Sequence, residues 1–137
     1  MTTAEKYLDF MVCVLQADGI IHEKEVEEFT RMLQQVGLKP ELKKKYRRVL
    51  KGTWLDAERV IRRVAKNANP QFLNWLVRDG YLMADADGKV TPPEIEIINE
   101  LLIKAGVSTH RRQSIHDWGK QAVKHARAGA KLFSKSR

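Results

Sequence analysis

Apolar residues recur at i, i+3, i+4 and i+7 along almost the whole chain, and no stretch alternates convincingly with period two. The spacing predicts a helix over 4–16, on Leu8, Met11, Val12 and Leu15, and a second over 23–36, on Val26, Phe29, Met32, Leu33 and Val36. Gly37 suits the end of the second. Pro40 opens a third helix carrying Leu42, Tyr46, Val49 and Leu50, which Gly52 ends, and a fourth runs over about 55–66 on Leu55, Val60, Ile61 and Val64. After the break "NANP", Pro70 fits the first turn of a fifth helix, over 71–86. Its apolar residues cover most faces, as expected of a central helix, and Gly80 allows a close crossing. A sixth helix is expected over 93–105, on Ile95, Ile98, Leu101 and Leu102. A basic seventh spans about 109–133, with a thin stripe of Ile115, Trp118, Ala122, Ala126 and Phe133. The expectation is an all-α, single-domain bundle of about seven helices.

Two segments repeat. Residues 15–38 and 84–107, aligned without a gap at an offset of 69, agree at Ala17/Ala86, Asp18/Asp87, Gly19/Gly88, Glu25/Glu94, Glu27/Glu96, Leu33/Leu102 and Gly37/Gly106. Each is a helix-turn-helix unit around A-D-G-x-[IV]-x-x-x-E. Two copies are too few for a solenoid, so a closed pseudo-symmetric bundle is expected. The domain division read here is 1–107 for the helical domain and 108–137 for a basic C-terminal helix or tail.

Capping accounts for part of the motif. Gly19 and Gly88 follow a helix end, where glycine takes a left-handed conformation without strain. Thr91 and Glu94 form a T-x-x-E capping box with Pro92 at the first helical position. Glu25 stands in the same relation to His22, a poor N-cap. The aspartates are different. Asp18 and Asp87 fall at a helix C-terminus, where the macrodipole disfavours negative charge by up to ~1 kcal/mol. A cation offsets that penalty, either a metal or an Arg or Lys from elsewhere. Seven residues on, Glu25 or Glu94 starts the next helix, so each turn can bring two carboxylates together. Such hard oxygen donors suit Ca²⁺, Mg²⁺ or Mn²⁺. The candidate metal ligands are therefore Asp18, Glu25, Asp87 and Glu94. His22 can add a nitrogen, although a lone exposed histidine usually has no such role.

An EF-hand is excluded. Placing Gly88 at loop position 6 sets Glu94 at 12 and Asp85 at 3, but position 1 is then Met83, and in the first copy positions 1 and 3 are Val14 and Gln16.

The doubled motif, in "ADGIIHEKE" and "ADGKVTPPE", each preceded by an apolar helix and followed by an L-x-x-x-G helix end, resembles the TerB-like domain associated with tellurite resistance. The resemblance covers roughly residues 4–107 and leaves the basic tail outside. It implies an all-helical domain with its acidic turns close together, a divalent-cation site on Asp18, Glu25, Asp87 and Glu94, and a place in stress-response or membrane-associated systems. Similar domains include one beside a J-domain; here "HDW" at 116–118 is not the H-P-D signature.

Charge follows the same organisation. The net of +8 is the sum of blocks of −4 (1–38), +9 (39–78), −4 (79–107) and +7 (108–137), so both acidic blocks are the repeats. Most of Lys43, Lys44, Arg47, Arg48 and Lys51 are expected to point outward from the third helix, and Arg59, Arg62, Arg63 and Lys66 extend the charge on the fourth. The tail adds Arg111, Arg112, Lys120, Lys124, Arg127, Lys131, Lys135 and Arg137. Such runs are often only solvated faces. The alternatives are contact with the acidic repeats, within the molecule or across a homodimer, docking on another protein or an anionic membrane, and binding of nucleic-acid phosphate. No recognition motif for nucleic acid accompanies the charge, which makes that partner the least favoured.

With a single cysteine, Cys13, inside an apolar run, no internal disulfide forms. No secretory signal and no apolar stretch of the ~20 residues a spanning helix needs is present. A cytoplasmic location is expected, peripheral at the inner face of the membrane if the basic surface docks there. No nucleophile-base motif, P-loop or zinc-protease signature occurs, and Trp54, Trp75 and Trp118 read as packing or surface anchors rather than as a cofactor box. The expected function is non-enzymatic, with no organic cofactor.

Overall fold

A computed structural model describes residues 2–134 of the chain, so Lys135 and Arg137 of the basic tail lie outside the described residues. Seven helices follow one another among these residues: α1 (Thr3–Leu15), α2 (Glu23–Gln35), α3 (Pro40–Leu50), α4 (Ala57–Ala65), α5 (Pro70–Ala84), α6 (Pro92–Lys104) and α7 (Thr109–Ser134), with a single 3₁₀ turn, Asp85–Asp87, after α5. The bundle is all-α, as its spacing predicts.

Local chemistry sets the starts. The Thr2 hydroxyl accepts from the Glu5 amide, Asp56 from Arg59 and Asn69 from Phe72, each relieving an orphan donor of the first turn. Prolines stand at the first turns of α3, α5 and α6. Helix α4 begins at Ala57, two residues later than the apolar spacing predicts, because Asp56 is its N-cap.

The centre is shared more widely than the apolarity of the fifth helix predicts. Every residue from Leu8 to Leu15 of α1 is buried, whereas α5 leaves Trp75 on the surface. Helix α1 packs on α4 and α5 and touches α2 and α6; α5 carries α7 on another side. Gly80 of α5 admits the Phe10 ring and Ile98, as a close crossing requires. Fully burying a side chain such as Leu8 or Phe10 contributes roughly 1.5–3 kcal/mol, so these helices hold most of the apolar stabilisation.

One polar network crosses this core. Asp9 is buried on α1, where Tyr46 donates to it at 2.7 Å and the Lys45 ammonium lies 2.8 Å away, also reaching Glu5 at 2.9 Å. A buried carboxylate without such partners would cost several kcal/mol. Lys45 is thus the one cation of α3 that turns inward.

Helix α7 joins the bundle along a different line from the expected stripe. Gly119 and Val123 are buried, with Ile115 and His116 half-buried, while Trp118, Ala126 and Phe133 are exposed. The Tyr81 ring lies where a Cβ at position 119 would be, so the glycine lets α7 settle onto α5. Tyr81 donates to His116 Nδ1 at 2.6 Å, and His116 Nε2 donates to Asn99 at 3.0 Å. None of the helices is long and apolar enough to cross a membrane, among the described residues.

Candidate metal centre

Both acidic turns are built the same way. Gly19 and Gly88 take left-handed conformations, with φ of +77° and +94°, and reverse the chain after α1 and after the 3₁₀ turn. Within each turn the aspartate accepts from the amide two residues on: Asp18 Oδ1 from Ile20 at 3.1 Å, Asp87 Oδ1 from Lys89 at 3.2 Å. That bond orients each carboxylate and leaves its second oxygen facing out of the turn.

Those second oxygens converge on one imidazole. His22 Nε2 is 3.1 Å from Asp18 Oδ2 and 3.6 Å from Asp87 Oδ2. The 3₁₀ turn packs on α2, which brings the second turn against the first. Hydrogen bonding to Asp18, reinforced by the charges of Asp18, Asp87 and Glu94, raises the His22 pKa above its ordinary value.

The glutamates lie behind. Glu94 stands at the third position of α6, and its Oε1 accepts from both the amide and the hydroxyl of Thr91, at 2.8 Å each. Glu25 is its counterpart in α2, but His22 offers no hydroxyl and makes no capping bond. Glu25 is fully buried, and neither of its carboxylate oxygens makes a well-formed hydrogen bond; the Glu94 carboxyl and the His22 backbone are its polar neighbours. Burial, with Glu94 beside it, pushes its carboxyl well above the usual range. A charge so placed must take a proton or a cation. One ligand atom each from His22, Glu25 and Asp87 lie within 4.8 Å of one another.

The two copies therefore contribute to a single cluster. The spacing expectation was one carboxylate pair per repeat, Asp18 with Glu25 and Asp87 with Glu94. Instead the aspartates of both copies meet at His22, and the glutamates of both meet behind it. The donor set, carboxylate oxygens with one imidazole nitrogen, fits a divalent ion. The second turn has its own cation as well. Arg127 of α7 pairs with Asp85 and donates to the Gly88 carbonyl at 2.7 Å. Nothing local in the sequence links Asp85 to Arg127, positions far apart along the chain; the only hint is the surplus of positive charge on the last helix.

The predicted basic surface divides. Lys43, Lys44, Arg47 and Arg48 are exposed on α3 and Lys51 just past its end, and Arg111 is exposed on α7. Arg112 is engaged, donating to the Val107 carbonyl at 2.7 Å and to Thr109 at 3.3 Å, so it closes the turn between α6 and α7.

Among known proteins, the family model for tellurite resistance protein TerB matches residues 5–117, which takes in both acidic turns and the first part of α7. No curated protein and no solved structure matches the chain.

Proposed function

The chain belongs to the tellurite resistance protein TerB family, a module of tellurite-resistance type, and from that membership we propose that it is a non-enzymatic stress-response protein whose joined acidic turns bind one divalent cation. The observation that carries the reading is Glu25: a fully buried carboxyl whose two oxygens make no well-formed hydrogen bond, next to Glu94 and within reach of His22 and Asp87. Leaving a buried polar group unsatisfied costs about 1–3 kcal/mol, and more if it is charged, so a site of this kind is stabilised by whatever positive species enters it. Carboxylates alone suit Ca²⁺, Mg²⁺ and Mn²⁺ equally in type; the imidazole favours Mn²⁺ among the three. In this reading His22, Glu25 and Asp87 hold the ion, Asp18 orients His22, and Thr91 orients Glu94. When bound, the cation would neutralise the cluster and join the two repeats. Cys13 is no candidate nucleophile in this reading, since burial pushes its thiol up to about 12 and keeps it protonated. The test is thermal unfolding with and without Mn²⁺, expected to rise in the wild type and to stay level in Glu25→Gln; an unresponsive wild type would refute the reading.

A second reading concerns the exposed face of α3. None of Lys43, Lys44, Arg47, Arg48 and Lys51 makes an ion pair among the described residues, whereas Lys45 beside them makes two. A free cationic face of this kind suits docking on an anionic membrane surface. Sedimentation with phosphatidylserine vesicles, lost on reversing Lys44 and Arg48 to Glu, tests it; binding to DNA in place of vesicles would replace the membrane with nucleic acid.

A further inference from the structure

Toward the opposite ends of α5 and α6 from the acidic cluster, these helices and the first turns of α7 enclose a groove of about 530 Å³. Its floor is aliphatic, from Leu73, Val77, Leu102 and Ile115, and the half-exposed Trp118 indole stands at its rim. No acidic side chain lines it; Arg111 supplies its one charge. The Arg111 guanidinium makes no hydrogen bond or ion pair among the described residues, although the neighbouring Arg112 is fully engaged. The mouth also lies at the N-terminus of α7, where the helix dipole adds positive potential. The volume is in the range of small-ligand clefts, roughly 300–1,000 Å³.

An aliphatic trough ending in one unpaired cation selects one kind of molecule. A neutral hydrocarbon leaves Arg111 unanswered, and a small inorganic anion leaves the trough wet. A dianionic head finds only one guanidinium. We propose that this groove binds a single-chain amphipathic carboxylate, with the head group on Arg111 and the alkyl chain along Leu73, Val77, Leu102 and Ile115. Asn74 and Ser114, also on the wall, are the polar groups that can take the second carboxylate oxygen. The site shares no residue with the acidic cluster, so it stands or falls separately from cation binding.

The probe is laurate below its micellar concentration, added to the full chain with chelator present. A protein carrying Trp54→Phe and Trp75→Phe leaves Trp118 as the reporting indole. The expected result is a saturable shift of its emission. Decanoate, two methylenes shorter, should bind about fifteenfold more weakly, at roughly fourfold per methylene. Arg111→Gln should weaken laurate by about tenfold, as loss of a charged hydrogen bond does, and leave dodecanol binding unchanged. Arg111 is exposed and the variant keeps its fold, which far-ultraviolet circular dichroism verifies. Absence of saturation, equal affinity of Arg111→Gln and wild type for laurate, or a response to anionic vesicles without one to monomeric laurate would each overturn the assignment.

Discussion

His22 Nε2 lies 3.6 Å from Asp87 Oδ2, a contact between an imidazole of the first repeat and a carboxylate of the second. Because the same nitrogen is 3.1 Å from Asp18, one ring spans both turns. The repetition in the chain is therefore not two copies of one site. It provides two halves, and the halves differ where it matters. Thr91 gives Glu94 a hydroxyl donor in the second repeat, and His22, its positional equivalent in the first, has none to give Glu25.

That asymmetry predicts the behaviour of Glu25→Gln. A neutral amide is less costly to bury than a carboxylate. In chelator the variant should unfold at a temperature no lower than the wild type. Its melting temperature should then fail to rise with Mn²⁺. A large loss of stability in chelator would mean that Glu25 has an essential partner within the protein.

The seat of α7 on α5 is tested by two glycines. Gly119→Ala forces a methyl group into the Tyr81 ring and should cost about 1–3 kcal/mol in urea unfolding, as overpacking does. Gly129→Ala, on the same helix, meets nothing and should stabilise by roughly 0.5–1 kcal/mol through helix propensity. Similar effects at both positions would contradict the packing.

Those two positions also mark what the sequence could and could not tell. Prolines at helix starts, glycines at turns and strong period-3.6 spacing made all seven helices legible, and the doubled motif located both acidic turns. The face of α7 is not legible because a glycine carries no apolar signal: apolar spacing points through Trp118 and Phe133, and the buried line runs through Gly119 and Val123. His22 was undervalued for another reason. Its importance comes from Asp87, and no local pattern records a contact between turns so distant along the chain. Lys45 stands in the same basic run, and its pairing with the buried Asp9, far away along the chain, is not written in any local pattern.

Arg127 ties the distal part of α7 to the second turn through Asp85 and the Gly88 carbonyl. The guanidinium is largely exposed, so global stability should hardly change in Arg127→Ala. Hydrogen exchange should instead quicken at the amides of residues 85–90, read by mass spectrometry. Unchanged protection there would show that the turn is held without it.

His116 gives the fold a pH dependence of definite sign. Burial, with Lys120 and Arg112 nearby, lowers its pKa. As a neutral ring it accepts from Tyr81 at Nδ1, and protonation there removes the acceptor. The unfolded chain therefore takes up this proton more readily than the folded one. The contribution to stability is complete above the ordinary histidine value of about 6.5 and is lost as pH falls below it. His22 and Glu25, whose pKa values are raised, act in the opposite sense, so the measurement belongs in a His22→Asn, Glu25→Gln background. Urea stability there should fall from pH 7.5 to 5.5 (about two units centred on that value), and adding His116→Gln should flatten the slope. A slope unaffected by that second change would remove His116 as its source.

The most direct test of a joined cation site is its stoichiometry. Calorimetric titration of the full chain with Mn²⁺ should give one ion per chain, and substitution in either repeat alone, Glu25→Gln or Asp87→Asn, should remove it. Two ions per chain, with each substitution removing only one, would contradict the account and return each repeat to a site of its own.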